Sequence, residues 1–229
     1  MHDLLLIAII AMVLALDDRA GWTSLAGEPV FSALLVGLVF GHVGAALRCG
    51  VALQCVWLSI GAARGSRRPN ALVGGLVGAG TVCLSLHKTG DPREPFVVAA
   101  AIFCGLVVGE AAQWCESRAG VGRERWLERF RLPADFNVAA RNIAFYTIGS
   151  TLYTAVVSGI LALLGTLIAL RLADLIIDRA GGEAGMLSLW ASALPAIAIA
   201  TIAHAFATKA LGRMAALGFI LAVVLSWLL

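Results

Sequence analysis

Three apolar segments within residues 30–86 are punctuated by glycine and are nearly all too short to cross a membrane cleanly. They read VFSALLVGLVFGHVGAAL, CGVALQCVWLSIGAA and NALVGGLVGAGTVCLSL. A simple spanning helix needs about 20 apolar residues, whereas runs of about 10–14 are typical of re-entrant or buried pieces. Broken backbone is tolerated at membrane depth only where protein or a water-filled cavity satisfies its polar groups. The segments therefore point to a cavity inside a membrane protein, as a transport site requires.

Apolar residues dominate the rest of the chain as well. Of its 229 residues, 60% are hydrophobic and 14% are charged, and the mean hydropathy is +0.92. Soluble domains carry about 25% charged residues. We therefore predict an all-α polytopic membrane protein, a single integral domain over residues 1–229 in the lipid bilayer, with about 7–9 hydrophobic segments that include short, broken or re-entrant helices. The small net charge of +3 gives no indication of nucleic-acid binding.

Glycines recur four residues apart at three places inside the apolar segments of the sequence. The pairs are Gly37/Gly41, Gly74/Gly78 and Gly105/Gly109. Such spacing lets helix backbones approach closely, which matters in lipid because no hydrophobic drive brings the helices together there. The three pairs together predict a tightly packed bundle, and they carry no information about a substrate.

A charged stretch interrupts the apolar pattern in the second half of the chain. Arginines alternate there with glutamates, at Arg118, Arg123, Arg125, Arg129 and Arg131 and at Glu116, Glu124 and Glu128. Trp126, Leu127 and Phe130 fall at helical spacing between them. Arginine collects in cytoplasmic loops, and this spacing is typical of a helix that lies at the membrane surface. Residues 116–133 are therefore predicted to form a cytoplasmic amphipathic helix.

Polar side chains inside apolar segments are the candidates for function, because an Asp or Arg at a helix centre costs about 2.5–3.5 kcal/mol. The candidates are Asp17, His42, Gln54, Arg64, Arg67, Arg68, Asn70, Glu110, Gln113 and His204. A sugar site needs several hydrogen-bonding groups and an aromatic or apolar wall. Asp17, Gln54, Asn70 and Trp57 are residues of the required types.

Most of these candidates also have a structural interpretation. Asp17 is compatible with a marker of the membrane surface, and His42 with a packed, neutral histidine. Gln54 is compatible with a hydrogen bond between two helices. The arginines at 64, 67 and 68 fit a positive-inside cluster, and His204 fits a structural residue. The residue types alone leave these alternatives open.

No pattern of residues indicates catalysis. The histidines are scattered, at His2, His42, His87 and His204. The sequence contains no His-Glu-x-x-His pair, no P-loop, no GxSxG elbow and no second acidic cluster to accompany Asp17 and Asp18. We therefore expect no catalytic residue, no metal and no cofactor on this chain.

A series of short motifs at moderately specific spacing carries a family resemblance. The series is Asp17, Glu28-Pro29, Leu35-Val36-Gly37, Gly41-His42, Leu53-Gln54, Gly61-Ala62 and Pro69-Asn70-Ala71. With these motifs, residues 16–78 resemble the membrane IIC component, the permease, of the mannose/fructose/sorbose family of phosphoenolpyruvate-dependent sugar phosphotransferase systems. The late stretch LPAIAIATIAHAFATKALGRMAALGFILA is more loosely similar to the final helices of that family.

The resemblance implies a subunit that binds a hexose-type sugar within the membrane and passes it to a soluble IIB partner for phosphorylation. It implies a IID-like membrane subunit, soluble IIA and IIB phosphocarriers, an oligomeric assembly and a multi-pass location in the bacterial inner membrane. The phosphohistidines would lie on those partners and not on this chain. The sugar-binding positions that the resemblance suggests are Asp17, His42, Gln54, Trp57, Arg67, Pro69 and Asn70.

The chain departs from the family pattern at two acidic positions. The usual Gly-Asp is Gly41-His42 here, and the usual Pro-Asp is Pro69-Asn70. The preceding loop also carries three arginines. These changes are compatible with a different sugar, including an anionic one, and with a diverged paralogue that no longer transports. A further alternative is a stand-alone secondary transporter, in which Glu110, His204 and Lys209 would couple transport to an ion gradient.

Overall fold

The computed structural model describes residues 2–19, 27–64, 70–89, 94–127 and 136–179, and the regular secondary structure within these ranges is helical, α-helical except for a 3₁₀ residue at Gly27. The helices are α1 (His2–Arg19), α2 (Pro29–Phe40), α3 (Val43–Arg64), α4 (Ala71–Thr89), α5 (Glu94–Leu127) and α6 (Phe136–Arg179). The predicted all-α class is confirmed over these ranges. The predicted number of hydrophobic segments stays a prediction, because residues 180–229 lie outside them.

Two of the described helices are long and apolar enough, by length and composition, to cross a membrane. They are the 27 residues Glu94–Gly120 within α5 and the 31 residues Thr147–Ile177 within α6. Shorter apolar helical segments cover Pro29–Phe40, Val43–Leu58 and Ala71–His87. At a rise of 1.5 Å per residue, the 12-residue α2 is about 18 Å long. It is thus shorter than a bilayer core, which is about 30 Å thick.

The chain turns sharply between α2 and α3 at Gly41. Gly41 has φ +79°, a left-handed conformation, and the N–H of His42 donates to the carbonyl of Gly37 at 3.0 Å. The apolar segment VFSALLVGLVFGHVGAAL is therefore divided between two helices at Gly41, and the second of these helices continues through Arg48. Arg48 lies within α3, where its exposed side chain forms an ion pair with Glu94 at the start of α5. A charged residue near a helix end can reach such a partner, so it need not interrupt the helix.

We expect Gly41→Ala to destabilise the protein by about 1–2 kcal/mol. A left-handed conformation costs an L-residue about this much, and no atom lies within 4 Å of a Cβ built at Gly41, so the cost is conformational and not steric. Thermal unfolding of the purified protein measures it. Gly41→Asn should recover a good part of the loss, because asparagine tolerates this conformation better than alanine. Equal destabilisation by both variants would contradict the explanation.

Helix α4 lies at the centre of the described bundle and contacts each of the other five described helices. Its residues Val73, Leu76, Val77 and Val82 are completely buried. Glycines make this close packing possible. A Cβ built at Gly78 would lie 2.8 Å from the Leu53 side chain of α3, and one at Gly74 would lie 2.7 Å from the Gly105 carbonyl of α5. The tight packing predicted from the glycine pairs is thus present around α4.

Helices α1 and α6 pack against α4 and complete the described bundle. α1 packs mainly along α6 and also contacts α4. Ile7 of α1 is completely buried, and a Cβ built at Gly159 of α6 would meet the Met12 side chain at 2.6 Å. Residues 116–127, the start of the predicted amphipathic helix, continue α5 without a break. The surface position of that stretch stays a prediction.

Candidate functional site

Two helices begin beside the middle of longer neighbours. α2 begins at Pro29, where a Cβ built at Gly50 of the 22-residue α3 would lie 2.9 Å from the Pro29 carbonyl. α4 begins at Ala71, and the N–H of Asn70 just before it donates to the carbonyl of Gly109 at 3.2 Å. Gly109 lies near the midpoint of the 34-residue α5. A Cβ built at Gly75, in the second turn of α4, would lie 2.8 Å from Cα of Pro29, so the N-terminus of α2 lies against the N-terminal part of α4. Helix N-termini carry a partial positive charge. We name the region where α2, α3, α4 and α5 meet the junction.

A carboxylate and an amide join α2 to α3 at the junction. Nε2 of Gln54 donates to Oε2 of Glu28 at 2.5 Å. Glu28 immediately precedes α2, and its backbone carbonyl accepts from the N–H of Ser32, but its side chain does not cap the helix. The other end of the Gln54 amide, Oε1, is buried and has no hydrogen-bond partner within the described part of the chain.

Trp57 lies one helical turn after Gln54 and fills the space between α4 and α5. It is 5% exposed. A Cβ built at Gly74 would lie 2.4 Å from Cη2 of the indole, and one at Gly109 would lie 2.7 Å from Cζ2. Nε1 of the indole is buried, and the described residues give it no hydrogen-bond partner. A buried donor and a buried acceptor thus lie one turn apart on α3.

A second carboxylate, that of Glu116 on α5, contacts Asn70 at the start of α4 and Ser158 on α6. Oδ1 of Asn70 accepts from the N–H of Val73 at 2.9 Å and so caps α4, while Nδ2 donates to Oε1 of Glu116 on α5 at 2.5 Å. The hydroxyl of Ser158 on α6 donates to the same Oε1 at 3.3 Å. Both ends of the Asn70 amide are therefore used within the protein, in contrast to the amide of Gln54.

Comparison with protein families finds one match over the whole chain. Residues 1–229 match the family described as the sorbose-specific IIC component of the phosphotransferase system. The chain belongs to this family. No match is found among curated proteins or among solved structures. The sorbose IIC family is embedded in the membrane as part of a sugar phosphotransferase system, so the apolar helices are membrane helices of a permease component.

The structure brings some of the predicted sugar-binding residues of this IIC component together and separates others. Trp57 and Asn70 both contact Gly109, and Gln54 lies one turn from Trp57. His42 lies at the opposite end of α2 from Glu28, about 18 Å away along the helix. Asp17 is half-buried in the last turn of α1.

Some sequence predictions fall on positions that the structure does not describe. Among the suggested sugar-binding residues these are Arg67 and Pro69, and among the ion-coupling candidates of the alternative transporter they are His204 and Lys209. These positions stay predictions. Gln54, Trp57 and Asn70 are the suggested residues that lie at the junction.

Glu28, Glu116 and Ser158 are residues of the candidate site that the sequence alone does not reveal. Glu28 is part of a Glu-Pro motif in a polar linker, and Glu116 belongs to a stretch of charges that is predicted to lie at the membrane surface. A signal for Glu116 was present, since residues 105, 109, 112 and 116 follow the i, i+4, i+7, i+11 spacing of one helix face. Gly105, Gly109 and Ala112 are buried on that face. Glu116 lies on the same face of α5, one turn after Ala112.

Proposed function

We propose that this IIC component is a sugar-translocating permease subunit that binds a hexose-type sugar at the junction. It would lie in the bacterial inner membrane with a IID-like subunit and release the sugar to a soluble IIB partner, which phosphorylates it. The observation that carries the proposal is the pair of buried polar atoms without a hydrogen-bond partner in the described residues, Oε1 of Gln54 and Nε1 of Trp57.

Buried polar atoms without a partner are rare in native proteins, and each costs about 1–3 kcal/mol. One of the two atoms here is an acceptor and the other is a donor. A sugar hydroxyl both donates and accepts, so neighbouring hydroxyls of one ring can satisfy both atoms. The indole of Trp57 adds the aromatic wall that such a site needs.

Carboxylates flank this pair and fit the same ligand. Glu28 contacts Gln54, and Glu116 contacts Asn70. An ionised carboxylate is a pure acceptor with about four lone-pair positions, so each can receive hydroxyl hydrogens in addition to its protein donors. Hydrogen bonds to charged groups are the stronger ones. The junction therefore offers acceptors on two sides of the buried pair, as a polyhydroxyl ring requires.

The short helices suit a subunit that moves its ligand. α2 and α4 begin beside the middle of longer helices, and helices that begin inside the membrane are characteristic of transport sites. In this proposal the phosphoryl relay runs through the soluble IIA and IIB proteins. Gln54, Trp57 and the two glutamates bind and orient the sugar, and none of them forms a covalent bond with it.

Uptake by membrane vesicles that contain the complete complex tests the proposal. With ¹⁴C-labelled L-sorbose, D-mannose or D-fructose as probes, we expect uptake as the phosphorylated sugar only when phosphoenolpyruvate and the IIA and IIB proteins are supplied, and no loss with a protonophore. Gln54→Ala should reduce this uptake at least about tenfold, because it removes a buried hydrogen-bonding group. Val51→Ala, on the exposed side of the same helix, is the matched control and should leave uptake unchanged.

Two other results of these measurements would assign a different function to the chain. Uptake that persists without phosphoenolpyruvate and collapses with the proton gradient would identify a secondary transporter. A purified wild-type complex that binds none of the three sugars would identify a membrane paralogue that has lost transport.

A further inference from the structure

Asn70 and Glu116 constrain each other chemically. Their side chains meet at 2.5 Å, with the amide as donor and the carboxylate as acceptor. An aspartate at position 70 would place two carboxylates opposite each other at this distance. Two carboxylates in one such site cannot both be ionised. An amide at 70 is therefore the condition under which a charged glutamate can occupy position 116.

The Asn70 side chain keeps its helix-capping role with either residue type. Oδ1 accepts from the N–H of Val73, and aspartate caps a helix N-terminus as well as asparagine does. The cap therefore does not explain why an amide stands here. The second atom, Nδ2, distinguishes the two residue types, and it is the atom that contacts Glu116.

We infer that Glu116 on α5 is a sugar-binding carboxylate of the junction and that Asn70 is the residue that positions it. Ser158 supports the same arrangement, because its hydroxyl donates to Oε1 of Glu116 from α6. The carboxylate is thus fixed from two helices while it belongs to a third. The inference rests on the proposed function, since it names a further residue of the same sugar site.

Exchanging the two groups tests the inference. In the double variant Asn70→Asp/Glu116→Gln, the carboxylate moves to the residue that caps α4 and the amide moves to α5, so the hydrogen bond between them is kept with its direction reversed. The KM and maximal rate of phosphoenolpyruvate-dependent uptake of ¹⁴C-labelled L-sorbose, D-mannose or D-fructose are measured for the complete complex. The wild type, both single variants and the double variant are compared, together with the thermal stability of each.

We expect Asn70→Asp to reduce uptake at least tenfold, because it brings two carboxylates together. Glu116→Gln should raise KM at least about tenfold, the loss expected for a hydrogen bond to a charged group. Its thermal stability should stay close to that of the wild type, because a glutamine oxygen still accepts from Asn70. The double variant should return KM to within about threefold of the wild-type value, which a purely structural role of Glu116 does not predict.

The possible failures are distinguishable. If the wild-type complex takes up sugar and Glu116→Gln has the wild-type KM, or if the double variant is no better than Asn70→Asp, this inference is overturned and the proposed function stands. If the wild-type complex neither binds nor takes up any of the three sugars, the proposed function fails and the sugar-binding role of Glu116 fails with it.

Discussion

Gly74→Ala is expected to lower the free energy of unfolding by at least about 2 kcal/mol, toward the upper part of the range for overpacking in a close-packed core. The new Cβ would lie 2.4 Å from Cη2 of Trp57 and 2.7 Å from the backbone carbonyl of Gly105. The indole cannot simply move away, because Gly109 bounds it on the α5 side. The carbonyl belongs to a helix backbone, so α4 and α5 would have to separate. Thermal unfolding of the purified protein measures the loss.

Gly120→Ala on α5 is the matched control for this prediction. It adds the same methyl group to a helical glycine, but no atom lies within 4 Å of the new Cβ. Because alanine is favoured over glycine in a helix by about 1 kcal/mol, this variant should be neutral or slightly more stable. A Gly74→Ala protein as stable as the control would show that Trp57 is not held between α4 and α5 as described.

The loss should be only partly recovered by a smaller ring. Trp57→Phe in the Gly74→Ala background removes the indole atoms that the methyl group meets, but the Gly105 carbonyl remains 2.7 Å from it. Complete recovery would mean that the indole alone limits the packing. No recovery would mean that the contact between α4 and α5 backbones dominates.

Hydropathy predicts that the fold consists of apolar helices. The points at which the helices end depend on backbone conformation and on distant side-chain contacts, which hydropathy does not describe. Short apolar segments correctly indicated several helices around residues 30–86. The division at Gly41 and the continuity through Arg48 do not follow from hydropathy, because a charged residue such as Arg48 marks the end of an apolar run. Its partner Glu94 is 46 positions away in the sequence, and a pairing over that distance cannot be inferred from a single chain.

The candidate site is partly predictable where a polar or aromatic residue interrupts an apolar segment. Gln54, Trp57 and Asn70 stand out in this way and lie at the junction, and their binding of a sugar stays a proposal. Glu28 and Glu116 lie in polar stretches of the sequence, so neither stands out from its neighbours as a buried polar residue would in an apolar segment. They become visible only when α2 and α5 are packed against α3 and α4.

The two glutamates change how the departures from the family pattern are understood. The sequence shows His42 and Asn70 where acids are usual, which suggested an altered or anionic substrate. The structure has carboxylates near Gln54 and Asn70 all the same, on Glu28 and Glu116. Carboxylate acceptors are therefore present beside Gln54 and Asn70 although positions 42 and 70 are not acidic, so these departures do not remove acidic groups from the junction.

Glu28→Gln is expected to raise the KM for the sugar at least about tenfold while the protein remains folded. The glutamine oxygen can still accept from Nε2 of Gln54, so the contact between α2 and α3 is kept. What is lost is the charge on the acceptor, and a hydrogen bond to a charged group contributes about 1.5–3 kcal/mol. Phosphoenolpyruvate-dependent uptake of the labelled sugar gives the KM, and thermal unfolding shows that the fold is intact.

Glu110→Gln is the matched control, and it also separates two mechanisms. Glu110 is an exposed glutamate on α5, and in the alternative secondary transporter it is one of the ion-coupling residues. In a phosphotransferase permease its neutralisation should leave KM unchanged, so that the loss is confined to Glu28→Gln. If Glu110→Gln abolishes uptake while Glu28→Gln leaves KM unchanged, the result favours transport coupled to an ion gradient over sugar binding at Glu28. Thermal unfolding of both variants, measured beside uptake, separates that pattern from a folding defect.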